Sequence, residues 1–173
     1  MTPLHGAPDS RARVAYILAA SHSGSTLLAM LLGSHADICT VGELKATSLG
    51  DPERYRCSCG APIRRCRFWT DVARMMAERG HPFDIASAGT DLNAGASRYV
   101  ASLLRPLHRG STLEQIRDFA LGLAPSWRSR VRRFHAVNEA FIRTLLARTG
   151  KSVVVDSSKS PVYDSKYLIL GFT

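Results

Sequence analysis

The sequence predicts an α/β fold in which a parallel sheet is flanked by helices, and three observations predict it. Residues 14–20 are a mostly apolar run of seven, typical of a buried strand. A short polar loop and then the apolar run of a helix follow it directly. Residues 151–156 form a second apolar, β-branched strand that also ends in a polar loop. Because parallel strands end at one edge of a sheet, we expect the two loops to converge there.

The loop after the first strand, Ser-His-Ser-Gly-Ser-Thr over residues 21–26, is built like an anion cradle. The first turn of a helix leaves backbone N–H groups unpaired, with the positive end of the helix dipole behind them. Small residues let an anion approach the backbone, and the hydroxyls of Ser23, Ser25 and Thr26 add donors. This predicts a phosphate or sulfate site. The alternative is that serine and glycine here only cap a helix.

The P-loop of nucleoside triphosphatases fits this loop poorly. Ser25 stands where that motif has its lysine, and Ala19 stands where it has its first glycine. A kinase or ATPase is therefore disfavoured.

An acidic residue follows the next predicted strand. Residues 33–37 are typical of a helix end and turn, and residues 38–41 of a short strand. Glu43 then lies where open α/β sheets place their ligands, although an ordinary exposed acid is the alternative. Residues 45–66, rich in Gly, Pro, Arg and Cys, are predicted to form a long loop that covers the site.

The rest of the chain is predicted to be mainly helical up to the last strand. Residues 83–150 form a mainly helical insertion that begins with an irregular segment over residues 83–97. Helices are expected over residues 71–79, 98–107, 112–123 and 125–148, with another beginning at residue 162. Gly150 is expected to end the helix before the final strand.

The chain has 173 residues, the length of one domain with a proper core, so residues 1–173 are taken as a single domain. No apolar stretch approaches the roughly 20 residues that span a bilayer. Residues 1–12 lack the apolar region of a signal peptide. We therefore expect a cytoplasmic protein without a membrane span.

The net charge of +9 favours anionic partners. Arginines cluster in two places: Arg64, Arg65 and Arg67, and then Arg128, Arg130, Arg132 and Arg133. For the second cluster the alternative is the solvated face of an amphipathic helix, since apolar residues alternate with it. No nucleic-acid-binding motif is evident, so nucleic acid is not an expected partner.

The cysteines are concentrated in one segment. Cys57, Cys59 and Cys66 lie within ten residues of each other, while Cys39 stands apart. Zinc would need a fourth ligand from a distant residue, His81 or Cys39. A disulfide from Cys66 to Cys57 or to Cys59 is a second alternative, less expected in a reducing compartment. Free thiols are the third, and the sequence leaves all three open.

Three segments in this order resemble the PAPS-dependent sulfotransferase family: "ILAASHSGSTLLAMLLGSHADICTVGEL", "CSCGAPIRRCRFW" and "VVVDSSKSP". The likeness is greatest to bacterial members and more remote to tyrosylprotein sulfotransferases. It implies a P-loop-like sheet and a sulfuryl transfer from 3′-phosphoadenosine 5′-phosphosulfate (PAPS) to a hydroxyl or amine acceptor. The transfer is an in-line displacement for which the family needs no metal.

The resemblance also implies roles for individual residues. The loop that binds the 5′-phosphosulfate matches six positions: Ser21, His22, Ser23, Gly24, Ser25 and Thr26. Many members carry Arg or Lys at the position of His22, where the cation stabilises the bridging oxygen, and a protonated imidazole can serve the same purpose. Glu43 matches the general base of tyrosylprotein sulfotransferases. Lys159 matches a lysine that contacts the transferring group and the donor.

One departure from the family lies at the end of the chain. The family's 3′-phosphate site follows on the next strand and helix, whereas this sequence ends at Thr173. We therefore expect a sheet incomplete at its C-terminus, with an exposed strand edge that favours self-association. The alternative function is that of a non-catalytic, truncated remnant that binds anions or a partner protein.

Overall fold

The computed structural model describes residues 12–19, 22–43, 52–86, 88–92, 97–104 and 111–158. Its elements in chain order are β1 (Arg13–Tyr16), α1 (Ser25–Gly33), β2 (Ile38–Thr40), a 3₁₀ turn (Ile63–Arg65), α2 (Arg67–Glu78), α3 (Arg98–Leu103), α4 (Ser111–Leu123), α5 (Pro125–Thr149) and β3 (Val153–Asp156). The helix expected from residue 162, and the candidate site residues Ser21 and Lys159, lie outside the described residues.

The described strands form a three-stranded parallel sheet in the order β1-β3-β2. Tyr16 is paired with Asp156 on one side of β3, and Thr40 is paired with Val155 on the other. The predicted mixed α/β fold, a parallel sheet flanked by helices, is confirmed at this level. Of the described strands, β3 is the last in sequence and lies in the centre, where its Val154 and Val155 are fully buried.

The first strand differs from its prediction as a buried strand over residues 14–20. It spans Arg13–Tyr16 only, and its side chains alternate, with Arg13 and Ala15 exposed. Successive side chains of a strand point to opposite faces of the sheet. One face of β1 is open to solvent within the described ranges. In those ranges, β3 is the only strand that pairs with β1. An apolar run alone does not distinguish this position from a central one.

Helix α5 provides more of the described core than any other element. Pro125 occupies its first turn, where a missing N–H costs nothing. Gly150 ends it in the left-handed conformation (φ 67°) and donates its N–H to the carbonyl of Leu146 at 2.8 Å. Buried side chains of α5, α2 and β3 pack together: Val72, Met76, Phe134, Phe141, Ile142, Leu145 and Val154. The rings of Trp69, Phe83 and Phe141 stack at the edge of this core.

The second arginine cluster lies on this helix and confirms the amphipathic interpretation. Trp127 and Phe134 are buried, whereas Arg128, Arg132 and Arg133 are exposed. Three of the four arginines therefore form a solvated face.

The other helices fit their predicted positions with local differences. Helix α2 begins four residues earlier than expected, at Arg67, because Cys66 is extended (ψ 122°) and occupies the cap position. Within the described part of residues 83–97, residues 83–92 contain neither helix nor strand, as predicted. Helix α1 buries Ser25 and Ala29, while its leucines Leu27 and Leu31 are exposed.

None of the helices that the described ranges contain combines the length and the apolar character needed to cross a lipid bilayer.

Candidate anion-binding site

The candidate site lies at the edge of the sheet where β1, β2 and β3 end. Ile17 donates its backbone N–H to the carbonyl of Asp156 at 2.8 Å, which joins the loops after β1 and β3. Ser157 donates both its N–H and its hydroxyl to the carbonyl of Gly42, each at 3.1 Å, which joins the loops after β3 and β2. Because β3 lies between the other two strands, all three loops meet at one edge. The predicted convergence of the first and last loops is confirmed for their described residues.

The loop between β1 and α1 has two residues in left-handed backbone conformations. His22 has φ 64° and Gly24 has φ 80°. Glycine adopts this conformation without strain, whereas in other residues it costs free energy, though less in histidine than in branched residues. Such outliers cluster at functional sites. The two conformations turn the chain sharply from the strand into the helix.

Gly24 is the cap residue of α1, and its carbonyl accepts the first helical hydrogen bond, from Leu28 at 3.0 Å. No side chain caps this helix end, since glycine has none. The glycine thus caps the helix, as the alternative interpretation of this loop also expects, so the cap by itself does not decide between capping and anion binding. The N–H groups of the first turn carry the positive end of the helix dipole towards the sheet edge.

Ser25 is the first residue of α1 and is buried, with a relative exposure of 4%. Its Oγ has no hydrogen-bond partner among the described residues. A buried hydroxyl without a partner costs about 1–3 kcal/mol, so such groups are rare in native proteins. An anion at the start of α1 would give this hydroxyl an acceptor. The neighbouring Ser23 and Thr26 are exposed.

The loop after β3 begins with a rigid turn. Asp156 is 1% exposed, and its Oδ1 accepts hydrogen bonds from the N–H of Ser158 at 2.8 Å and from the hydroxyl of Ser158 at 2.6 Å. The hydroxyl of Tyr16 donates to the carbonyl of Ser158. These contacts fix the direction in which the chain leaves β3 towards residue 159. They involve residues that sequence reasoning missed, although an acid that ends a buried apolar strand was a usable signal.

Glu43 lies in the loop that follows β2, directly after Gly42, whose carbonyl is bonded to Ser157. It is half-buried. Neighbouring strands are about 4.8 Å apart, so the ends of β1 and β2 are separated by roughly 10 Å across β3. The structure thus brings five of the six loop positions and the candidate base to the same sheet edge.

Comparison with protein-family models, with curated proteins and with solved structures found no match for this chain. What can be said of its function therefore comes from its own sequence motifs and from the geometry of this edge.

Proposed function

We propose that the chain is a sulfotransferase that binds the 5′-phosphosulfate of PAPS on the loop His22–Thr26 and transfers its sulfuryl group to a hydroxyl or amine acceptor. The observation that carries the proposal is the start of α1. There a glycine cap exposes backbone N–H groups beside the buried hydroxyl of Ser25, which has no hydrogen-bond partner in the part of the chain that the structure describes. Together with the sequence motifs, this favours a P-loop-like donor site. A nucleotide kinase is disfavoured because Ser25 replaces the lysine that holds the transferred phosphate.

The proposed reaction is an in-line displacement. A lone pair of the acceptor oxygen or nitrogen attacks sulfur, the bond between sulfur and the bridging oxygen breaks, and that electron pair stays on the phosphate of the leaving adenosine 3′,5′-bisphosphate. Glu43 takes the proton of the acceptor, and a protonated His22 donates a hydrogen bond to the bridging oxygen. The N–H groups at the start of α1 stabilise the charge of the transferring group.

Lys159 completes the proposed site from the loop after β3. It follows directly on the turn that Asp156 and Ser158 build. A fixed turn lowers the entropy cost of holding the next residue against the transferring sulfuryl group. The contact of Lys159 with the donor and the transferring group is inferred from the motif "VVVDSSKSP" and stays part of the proposal.

The same cradle also supports the second candidate function, a non-catalytic protein that binds anions or a protein partner. Binding alone does not separate the two, because both require the start of α1. The test is transfer from ³⁵S-labelled PAPS to a panel of phenolic, aliphatic and amine acceptors. Labelled product, lost in Glu43→Gln and in Ser25→Ala, is the expected result. If the chain binds PAPS but all of the label stays in PAPS, the result supports the non-catalytic function instead.

His22 gives this proposal a further test. Histidine changes its charge between about pH 5 and pH 8, whereas arginine stays charged throughout. If the imidazole must be protonated, sulfuryl transfer is slower in alkaline than in acidic buffer. We expect His22→Arg to keep its activity at the alkaline end. Equal pH profiles of the two proteins would remove His22 from the proposed role.

A further inference from the structure

Three thiols meet in the segment between the sheet and α2. The sulfur of Cys66 lies 3.5 Å from that of Cys57 and 3.6 Å from that of Cys59. All three sulfurs lie within 4.8 Å of one another, and no disulfide joins them. Cys66 is buried, Cys57 is half-buried and Cys59 is exposed, so the cluster opens to solvent on one side.

Backbone hydrogen bonds hold the segment that presents these thiols. Tyr55 accepts the N–H of Ile63 at 2.9 Å, and an antiparallel bridge pairs Arg56 with Pro62. Inside this hairpin, Cys57 donates its N–H to Ala61 at 2.9 Å and accepts the N–H of Gly60 at 2.8 Å. The turn therefore places Cys57 and Cys59 side by side by its own geometry. The 3₁₀ turn that follows brings the chain back to Cys66.

Backbone N–H groups also approach the sulfurs. Burial raises the pKa of the Cys57 thiol, but hydrogen bonds from the Cys59 N–H and from the neighbouring thiols outweigh it, so this pKa lies below its ordinary value. At Cys66 burial is the larger effect and raises the pKa. The N–H groups of Trp69 and Phe68 favour the Cys66 thiolate without forming a full capping bond. N–H groups directed at thiolates are the outer contacts that tune metal–sulfur sites.

The distances distinguish a disulfide from a zinc site for these cysteines. A disulfide brings two sulfurs to about 2.05 Å and leaves the third without a role. A tetrahedral zinc ion with Zn–S bonds of about 2.3 Å places any two of its sulfurs about 3.8 Å apart. The observed 3.5 and 3.6 Å are close to that edge length and fit one ion rather than a multi-iron cluster.

We propose that Cys57, Cys59 and Cys66 bind a single zinc ion. Three thiolates are soft ligands, which suit zinc and disfavour magnesium or calcium. The ion would join the hairpin over residues 55–62 to the start of α2, where Cys66 is the cap residue. Among the described residues the cluster offers three ligand atoms, so the fourth position faces the open side next to Cys59. The proposed sulfuryl transfer does not use this ion.

The test uses the whole chain, purified under reducing conditions and then loaded with zinc or cobalt. We expect about one metal ion per chain and, with Co²⁺, the thiolate-to-cobalt charge-transfer absorption and the strong d–d bands of a tetrahedral site. Substoichiometric metal, or the weak d–d bands of octahedral cobalt, would overturn the proposal. Neither readout depends on PAPS or on any acceptor, so its failure is distinguishable from failure of the proposed function.

Single variants assign the ligands. Cys57→Ser, Cys59→Ser and Cys66→Ser should each weaken zinc binding at least about 100-fold, because each removes one of three thiolates. Cys39→Ala is the matched control, since Cys39 is buried on β2 and lies outside the cluster. If a ligand variant does not fold, wild-type protein and Cys39→Ala still decide. Both must bind cobalt with the same thiolate absorption. A disulfide at Cys66, found by peptide mapping of metal-loaded wild-type protein, would contradict the proposed zinc site.

Discussion

Ser25 is buried, and its hydroxyl has no hydrogen-bond partner within the described ranges, a combination that is rare in folded proteins. It lies at the start of α1, directly after a glycine in the left-handed conformation. At this scale the proposed donor site is a set of polar groups held in place before a ligand arrives. Preorganised groups of this kind bind charge without a cost of reorganisation.

Gly24→Ala tests the backbone of this loop. A Cβ at residue 24 would meet no atom within 4 Å, so steric overlap is not the issue. The left-handed φ of 80° remains, and it costs a non-glycine residue about 1–2 kcal/mol. We expect urea denaturation to show a loss of that size. Gly122→Ala is the control: residue 122 is helical with equally open surroundings, and alanine should stabilise it by about 0.5–1 kcal/mol. Equal effects in both variants would contradict the strained-loop account.

Asp156→Ala tests the turn after β3. The variant removes the acceptor of two Ser158 hydrogen bonds in a buried place and should cost about 1–3 kcal/mol of unfolding free energy. Asp84→Ala is the matched control, since Asp84 is exposed and its ion pair with Arg64 at 3.1 Å contributes at most about 1 kcal/mol. Chemical denaturation measures both. A loss no larger than that of the control would show that this turn is not held by Asp156.

At the scale of elements, α5 and the sheet carry the stability of the fold. Leu145 is fully buried where α5 packs against α2 and β3, whereas Leu123 at the end of α4 is 65% exposed. Leu145→Ala should cost about 2–5 kcal/mol through lost burial and the cavity it leaves. Leu123→Ala should change stability by less than about 0.5 kcal/mol. Thermal and urea unfolding give both values, and similar losses in the two variants would mean that the described core is not the stabilising one.

Sequence reasoning found most elements because their signals are local. The bounds of α5 follow from Pro125 and Gly150, and the burial of β3 follows from its run of β-branched residues. The start of α2 was missed because an extended cysteine, rather than a serine or aspartate, precedes it. The exposure of β1 was missed because it depends on which strands lie beside it, and that is not a property of the strand's own sequence.

At the scale of the whole molecule, the parallel sheet brings together loops that are more than a hundred residues apart in the chain. The rule for parallel strands predicted this meeting from the sequence. The order β1-β3-β2 was not predictable, because it depends on contacts between distant segments. Two of the three alternatives for the cysteines brought their sulfurs together, but the spacing alone did not choose among them. The donor, the base Glu43 and Lys159 remain predictions from motifs.

Self-association is a further prediction at this scale. Within the described ranges β1 has a neighbour on one side only, and the exposed Leu27 and Leu31 of α1 add apolar surface. Unpaired edges and apolar patches both favour contacts between chains. Sedimentation velocity should show an average mass that rises above that of one chain as protein concentration increases. A constant single-chain mass would contradict this expectation.

The most direct test of the central claim is a calorimetric titration of the whole chain with PAPS and with adenosine 3′,5′-bisphosphate. The account predicts saturable binding that Ser25→Ala weakens about tenfold or more, since a hydrogen bond to a charged group is worth about 1.5–3 kcal/mol. Ser129→Ala, an exposed serine on α5, should bind like the wild type. No binding at millimolar ligand, or equal affinity in Ser25→Ala, would contradict a donor site at the start of α1.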